Sequence, residues 1–333
     1  TLVLFKLLLL EKRVLFFGSP TSELCSTILS VVSLVPGLLA SPWEIGPSGS
    51  VPRQQQSLLH ASFGFPLKVF QRQALLSYLT LHQIDDLAAL KSFYAATSNY
   101  LFVSSLSSDV VNVVVHLNDQ DHVAVSGDKI PPRAASIDIR DSALAPLLTL
   151  SAADRAFMNH IIEVVAETDL SQEQRDGTPS SSSSAGVEHN VQKHMTLDST
   201  PGNAKNAFKG SDEWIRQQFQ QYLCCMMACV SRVPDVFSVR VTPSISSSEA
   251  IGIETLDLTA ATDFEQDFIR EWIKTRNFQQ WRTDLPLKAL EEMITQYPSL
   301  DFQHPSVSST FDQVAYHVNK FSSGFTRWWN SKD

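Results

Sequence analysis

The residues Val14-Leu15-Phe16-Phe17 form an unbroken apolar run closed by Gly18-Ser19-Pro20. A strand with one wet face alternates apolar and polar residues. A continuous run is expected where both faces are covered, as in a mostly parallel sheet between helices. Ser19 is expected as a helix cap and Pro20 at the first helical position, where its missing N–H costs nothing. Leu24, Ile28, Val31, Val32 and Val35 recur at helical spacing, and Pro36-Gly37 stops the pattern. This strand–turn–helix unit places the first part of the chain in an α/β layer.

The remainder of that part is less regular. Residues 41–61 are rich in Pro, Ser, Gly and Gln and read as a loop insertion. Phe65-Pro66-Leu67-Lys68-Val69-Phe70 reads as a strand or edge segment. Short apolar runs follow in 74–81 and at Leu101-Phe102-Val103. Asp109 to Leu117 is strongly β-branched and is the clearest strand after the first. Residues 119–140 read as a polar connection.

From Ser151 the periodicity becomes helical. Ser151 and Asp154 have the spacing of a capping box, and Phe157, Ile161 and Val165 form one apolar face. Residues 169–209, with consecutive serines from Ser180, read as a disordered linker. Ser211-Asp212 opens a helix with the stripe Ile215, Phe219, Tyr222, Met226 and Val230, bounded by Pro234. Thr262 with Glu265 reads as a second capping box, ahead of Phe268, Trp272 and Ile273. A last helix is expected over 310–329, with Phe311, Val314, Val318, Phe321 and Phe325 on one side. The expected organisation is an α/β module over 1–150, of mixed α+β and α/β class, then an all-helical module over 151–333.

Chemistry is sparse. The net charge of −9, from 26 basic and 35 acidic residues, argues against broad nucleic-acid binding, which needs clustered cations. The turn Gly18-Ser19-Pro20-Thr21 has one glycine where a dinucleotide fingerprint needs three, and Pro20 removes a donor that a phosphate would use. No Walker loop, zinc-hydrolase His pair or Gly-x-Ser-x-Gly elbow occurs. Asp85-Asp86 reads as two loop carboxylates facing water. Cys25, Cys224, Cys225 and Cys229 lack the spacing and nearby histidines of a metal site and read as buried, reduced thiols. Lys6 interrupts the apolar run Leu2–Leu10, and Glu11-Lys12-Arg13 closes it. With no cleavage site and no window of roughly 20 apolar residues, a soluble chain beginning inside a domain is expected. No catalytic, cofactor or metal residue is nominated. Phe321, Phe325, Arg327, Trp328 and Trp329 are the candidate membrane or partner contacts; packing of the same stripe on the helical part is the favoured alternative, because Lys320 and Arg327 alone make a weak basic face.

Several segments carry a family resemblance. Leu4 to Leu39 is similar to the central module of the Avl-type late secretory pathway group of the DENN superfamily. Phe65-Pro66-Leu67, then Tyr78 to Gln83, then Phe93 to Phe102 (FYAATSNYLF) resemble that group's succession of blocks. Gly210 to Leu223 and Phe268 to Trp281, with Thr275-Arg276-Asn277-Phe278, resemble its helical module. The resemblance implies a longin-like module upstream, which this chain nearly lacks, and a cytoplasmic factor acting peripherally on secretory or recycling endosome membranes. It implies a small GTPase of the Rab type as partner, with either guanine nucleotide exchange or a scaffolding role in vesicle formation. Neither role needs a nucleophile or a cofactor.

Overall fold

A computed structural model of the chain describes residues 1–39, 63–70, 74–76, 78–79, 83–117, 135–176, 208–237, 251–297 and 299–300. The loop expected over 41–61, the serine-rich run and the helix expected over 310–329 lie outside the described residues.

The strand expected at Val14–Phe17 is β1 (Arg13–Gly18), and it is the central strand of a sheet. On one side it pairs in parallel with β3 (Phe93–Thr97), from Arg13 opposite Phe93 to Phe17 opposite Thr97. On the other it pairs in parallel with β4 (Val113–Leu117), from Val14 opposite Val113 to Gly18 opposite Leu117. β2 (Leu75–Leu76) lies outside β3, and β5 (Ala135–Ile139) runs antiparallel outside β4, giving the order β2-β3-β1-β4-β5. Val14, Leu15 and Phe16 are all buried, as a strand covered on both faces requires. α2 (Thr21–Ser33) crosses one face, lying on β1 and β3. Its cap is Pro20, one position later than expected, with Thr21 the first helical residue.

Several elements depart from the sequence reading. The leucine-rich start is a helix, α1 (Leu2–Leu9), buried on every side. It is apolar all round, so it has no periodic signal and reads like the strand that follows it. Phe65–Phe70 is buried at Phe65, Leu67, Val69 and Phe70 but joins no strand ladder. β3 was not singled out, because Ala95 and Ala96 lack the β-branched signature, yet all five of its residues are buried. β5 lies inside the expected polar connection. It is an exposed antiparallel edge and needs only a weak alternation, Ile137 and Ile139. Asp85-Asp86 falls on a helix, α3 (Ile84–Ala89), and Leu101–Val103 within another, α4 (Tyr100–Ser105).

After α5 (Leu144–Leu147) the elements among the described residues are all helical. The Ser151–Asp154 capping box forms in full: the Asp154 N–H donates to Ser151 Oγ at 3.0 Å and the Ser151 N–H to Asp154 Oδ2 at 2.9 Å. The helix it opens, α6 (Ala152–Asp176), continues past Thr168 into the stretch expected to be linker. α7 (Asp212–Ser231) is capped by Ser211, whose Oγ accepts from the Trp214 N–H at 3.2 Å. The Thr262–Glu265 box does not form. Asp257 caps a 3-10 turn, Leu258–Ala261, that already holds Thr262 in helical backbone. After the short α8 (Ile251–Glu254) and this turn, α9 (Gln266–Lys274) therefore starts later, after Glu265. α10 (Arg276–Asp284) is capped by Thr275, and α11 (Leu287–Gln296) packs along α7.

Two polar clusters join α1 to these helices. Lys6, fully buried, pairs with the equally buried Asp154 of α6, and its ammonium lies 4.9 Å from the Phe268 ring centre on α9. Asp154 also accepts from the Tyr222 hydroxyl of α7 at 2.7 Å. In the second cluster Glu11, in the turn after α1, accepts from the Asn277 N–H at the start of α10 at 2.7 Å. The Asn277 amide donates to Leu9 O at 2.7 Å and accepts from Trp272 Nε1 at 3.0 Å.

Candidate partner-binding surface

In a parallel sheet the carboxyl ends of the strands share one edge. Ligands of such sheets commonly gather where neighbouring strands are reached by connections running in opposite directions. Here that place is the end of β1, flanked by β3 and β4. The Phe17 ring forms its floor, meeting Tyr100 at 5.9 Å and His116 at 5.7 Å, both edge-on. Beyond β3 the chain turns sharply. The Asn99 N–H donates to Thr97 Oγ1 at 3.1 Å, and Asn99 Oδ1 accepts from the Leu101 N–H at 3.0 Å. That cap starts α4 at the edge. Tyr100 and Leu101 consequently stand 64% and 67% exposed. Tyr78, 40% exposed, adds a third apolar side chain, with its hydroxyl 3.1 Å from Ser98 Oγ. Arg140 braces the other end of α4, donating to the carbonyls of Val103 and Leu106, each at 2.7 Å.

Gly18 is needed for strand packing: a Cβ there would lie 2.5 Å from Leu117 O, on the neighbouring strand. The large exposed side chains of this edge are aromatic and aliphatic and stand among the exposed Ser98, Ser104 and Ser105, a mixture suited to contact with another protein.

The other sites weighed in the sequence fall as follows. Cys224, Cys225 and Cys229 are buried free thiols on α7, and Cys25 is half-buried on α2. Burial pushes the Cys224 thiol up to about 12 and the Cys229 thiol up to about 11, while burial and the neighbouring thiols push Cys225 well up. Among the described residues no three His, Cys, Asp or Glu side chains are grouped to hold a metal ion. His116 lies at the edge against Phe17. Asp86 is exposed on α3. Phe321, Phe325, Arg327, Trp328 and Trp329 lie outside the described residues. No described helix is long and apolar enough to cross a membrane.

Sequence reasoning missed the exposed pair Tyr100–Leu101. Leu101 was read as the start of an apolar run, whereas Asn99 starts a helix that turns Leu101 outward and Phe102 and Val103 inward. Asn at a cap position was the available signal.

The architecture is thus a mixed α/β sheet joined to a helical layer, with exposed Tyr78, Tyr100 and Leu101 at one edge of the sheet. The chain belongs to the family of transport protein Avl9, which it matches over residues 1–230. It is similar to late secretory pathway protein AVL9 of Saccharomyces cerevisiae, with 22% identity over 291 residues, 83% of this chain and 32% of that protein. It is also similar to late secretory pathway protein avl9 of Schizosaccharomyces pombe, with 26% identity over 296 residues, 84% of this chain and 52% of that protein. The chain therefore spans between a third and about half of these relatives. No solved structure matches it.

Proposed function

We propose that this chain is part of a late secretory trafficking factor that binds a small GTPase of the Rab type across the carboxyl edge of its sheet. Family membership and the names of the yeast relatives support the pathway. The observation that carries the mode of action is the exposed Tyr100–Leu101 pair, set on a short helix braced at both ends by Asn99 and Arg140. Exposed large apolar groups on a rigid support are what a protein contact uses.

Exchange of guanine nucleotide fits such a surface. An exchange factor needs only to bind the nucleotide-free GTPase more tightly than the loaded form, so that switch segments are displaced. No covalent step is involved, and the role agrees with a DENN-type fold. Attachment to secretory or recycling endosome membranes would then be peripheral.

The test is release of labelled GDP from a panel of Rab GTPases by the full-length protein. Accelerated release, abolished by Tyr100→Ser with Leu101→Asp, supports exchange at this edge. Binding without a change in nucleotide off-rate assigns a scaffold in vesicle formation instead. Neither binding nor release across the panel removes the GTPase reading.

A further inference from the structure

α1 presents a packing problem. Its sequence LVLFKLLL is apolar on every face except at Lys6, and all its residues but Val3 are buried. Apart from Lys6 and from Phe5, whose ring meets Phe219 at 5.2 Å and Tyr222 at 6.2 Å, the surface is five leucines and Val3, so rotating the helix by one residue, 100°, mostly exchanges one aliphatic contact for another. Apolar burial alone therefore leaves several rotations close in energy, as in cores built of one residue type.

Lys6 removes that degeneracy. Its ammonium meets Asp154 and faces the Phe268 ring. Asp154 is held independently by the Ser151 N–H at 2.9 Å and the Tyr222 hydroxyl at 2.7 Å, so it is a fixed target. Any other rotation of α1 would leave two fully buried charges apart. That is far more costly than a displaced methyl group. A buried ion pair, by contrast, gains little over apolar side chains of the same size. The Tyr94 hydroxyl donates to Leu4 O at 2.7 Å, but a backbone carbonyl is offered in every rotation and selects weakly.

We infer that the Lys6–Asp154 pair is a register key: it selects one rotation of α1 against the helical layer and contributes little net stability.

The experiment uses the whole chain carrying Lys6→Met together with Asp154→Asn, which removes both charges and keeps an amide oxygen to accept from the Tyr222 hydroxyl, compared with Lys6→Met alone. Hydrogen exchange read by mass spectrometry is followed segment by segment, beside urea unfolding. The double variant is expected to keep its urea midpoint and the protection of β1, β3 and α7. Protection over 2–12 should fall at least about tenfold, because α1 then samples several rotations. Lys6→Met alone should lower protection throughout, by about a hundredfold or more, since Asp154 is left buried without its cation. Unchanged protection of α1 in the double variant overturns the inference. So does a double variant that unfolds, for the pair is then a main source of stability.

Discussion

The carboxylate of Glu11 closes on the backbone N–H of Asn277 at 2.7 Å, so a turn residue beside the sheet meets the first turn of a helix that begins far along the sequence. The Asn277 side-chain amide reinforces the contact at 3.0 Å, and the Arg276 N–H approaches the second oxygen at 3.4 Å. Replacing Glu11 by Ala leaves the Thr275 cap in place but strips the Asn277 N–H at the start of α10 of its acceptor. The expected loss is about 2 kcal/mol in urea unfolding, with Glu11→Gln losing less because it retains an acceptor.

The same residue gives a pH dependence. Burial raises the Glu11 carboxyl above its ordinary 4.5, outweighing the Asn277 and Arg276 hydrogen bonds that lower it. A raised acid holds its proton longer folded than unfolded, so folding stability falls as pH climbs from 4.5 through the folded value. Relative to Glu11→Gln, which does not titrate, the parent should be more stable below pH 4.5 than above the folded value. An unchanged difference between the two across that range would contradict the assignment.

The α7 thiols should resist modification. With Cys224 held near 12 and Cys229 near 11, almost no thiolate exists in the folded protein at pH 8. A thiol-disulfide reagent should react with Cys224, Cys225 and Cys229 only on unfolding, and with all four cysteines in denaturant. Above pH 9 the unfolded chain releases these protons while the folded chain keeps them, so stability should decline between pH 9 and 12. Cys224→Ala with Cys229→Ala should flatten that decline.

Gly18→Ala tests the packing of the central strand. The added methyl would meet Leu117 O at 2.5 Å, and backbone on a paired strand has little room to yield. A cost of about 1–3 kcal/mol is expected, measured as a lower thermal midpoint. A midpoint equal to the parent's would show that β1 and β4 can part locally.

Tyr100→Ser with Leu101→Asp should leave stability within about 0.5 kcal/mol, because both side chains are mostly outside the core. Any GTPase affinity should fall at least about tenfold, read by titration with the same Rab panel. Lost stability instead would make the pair structural.

What could be read in advance follows from how each signal arises. Val14–Phe17, α2, the Ser151–Asp154 box and the start of α7 were legible because cap chemistry and periodicity act over a few residues. α1 was not, since Leu2–Leu9 is apolar on all faces and helix and strand then look alike. Ala95 and Ala96 in β3 take their strand conformation from Leu15 and Phe16 opposite them, a partner that local sequence cannot name. Lys6 was visible only as a break in an apolar run. Its worth depends on Asp154, which lies in another helix. The candidate surface was the least legible. Tyr100 and Leu101 became a site only when the parallel pairing brought the ends of β1, β3 and β4 to one edge.

The placement of β1 at the middle of the sheet has a consequence for biosynthesis. Arg13 must wait for Phe93, and Val14 for Val113, before either flank of the strand is satisfied. A ribosome delivers the greasy stretch from Leu2 to Phe17 first and its neighbours much later. Pairings so distant along the chain close slowly, and sticky nascent segments aggregate in the interval. Newly made chains should therefore depend on chaperones until β4 has emerged, and truncations ending before Val113 should accumulate as insoluble material.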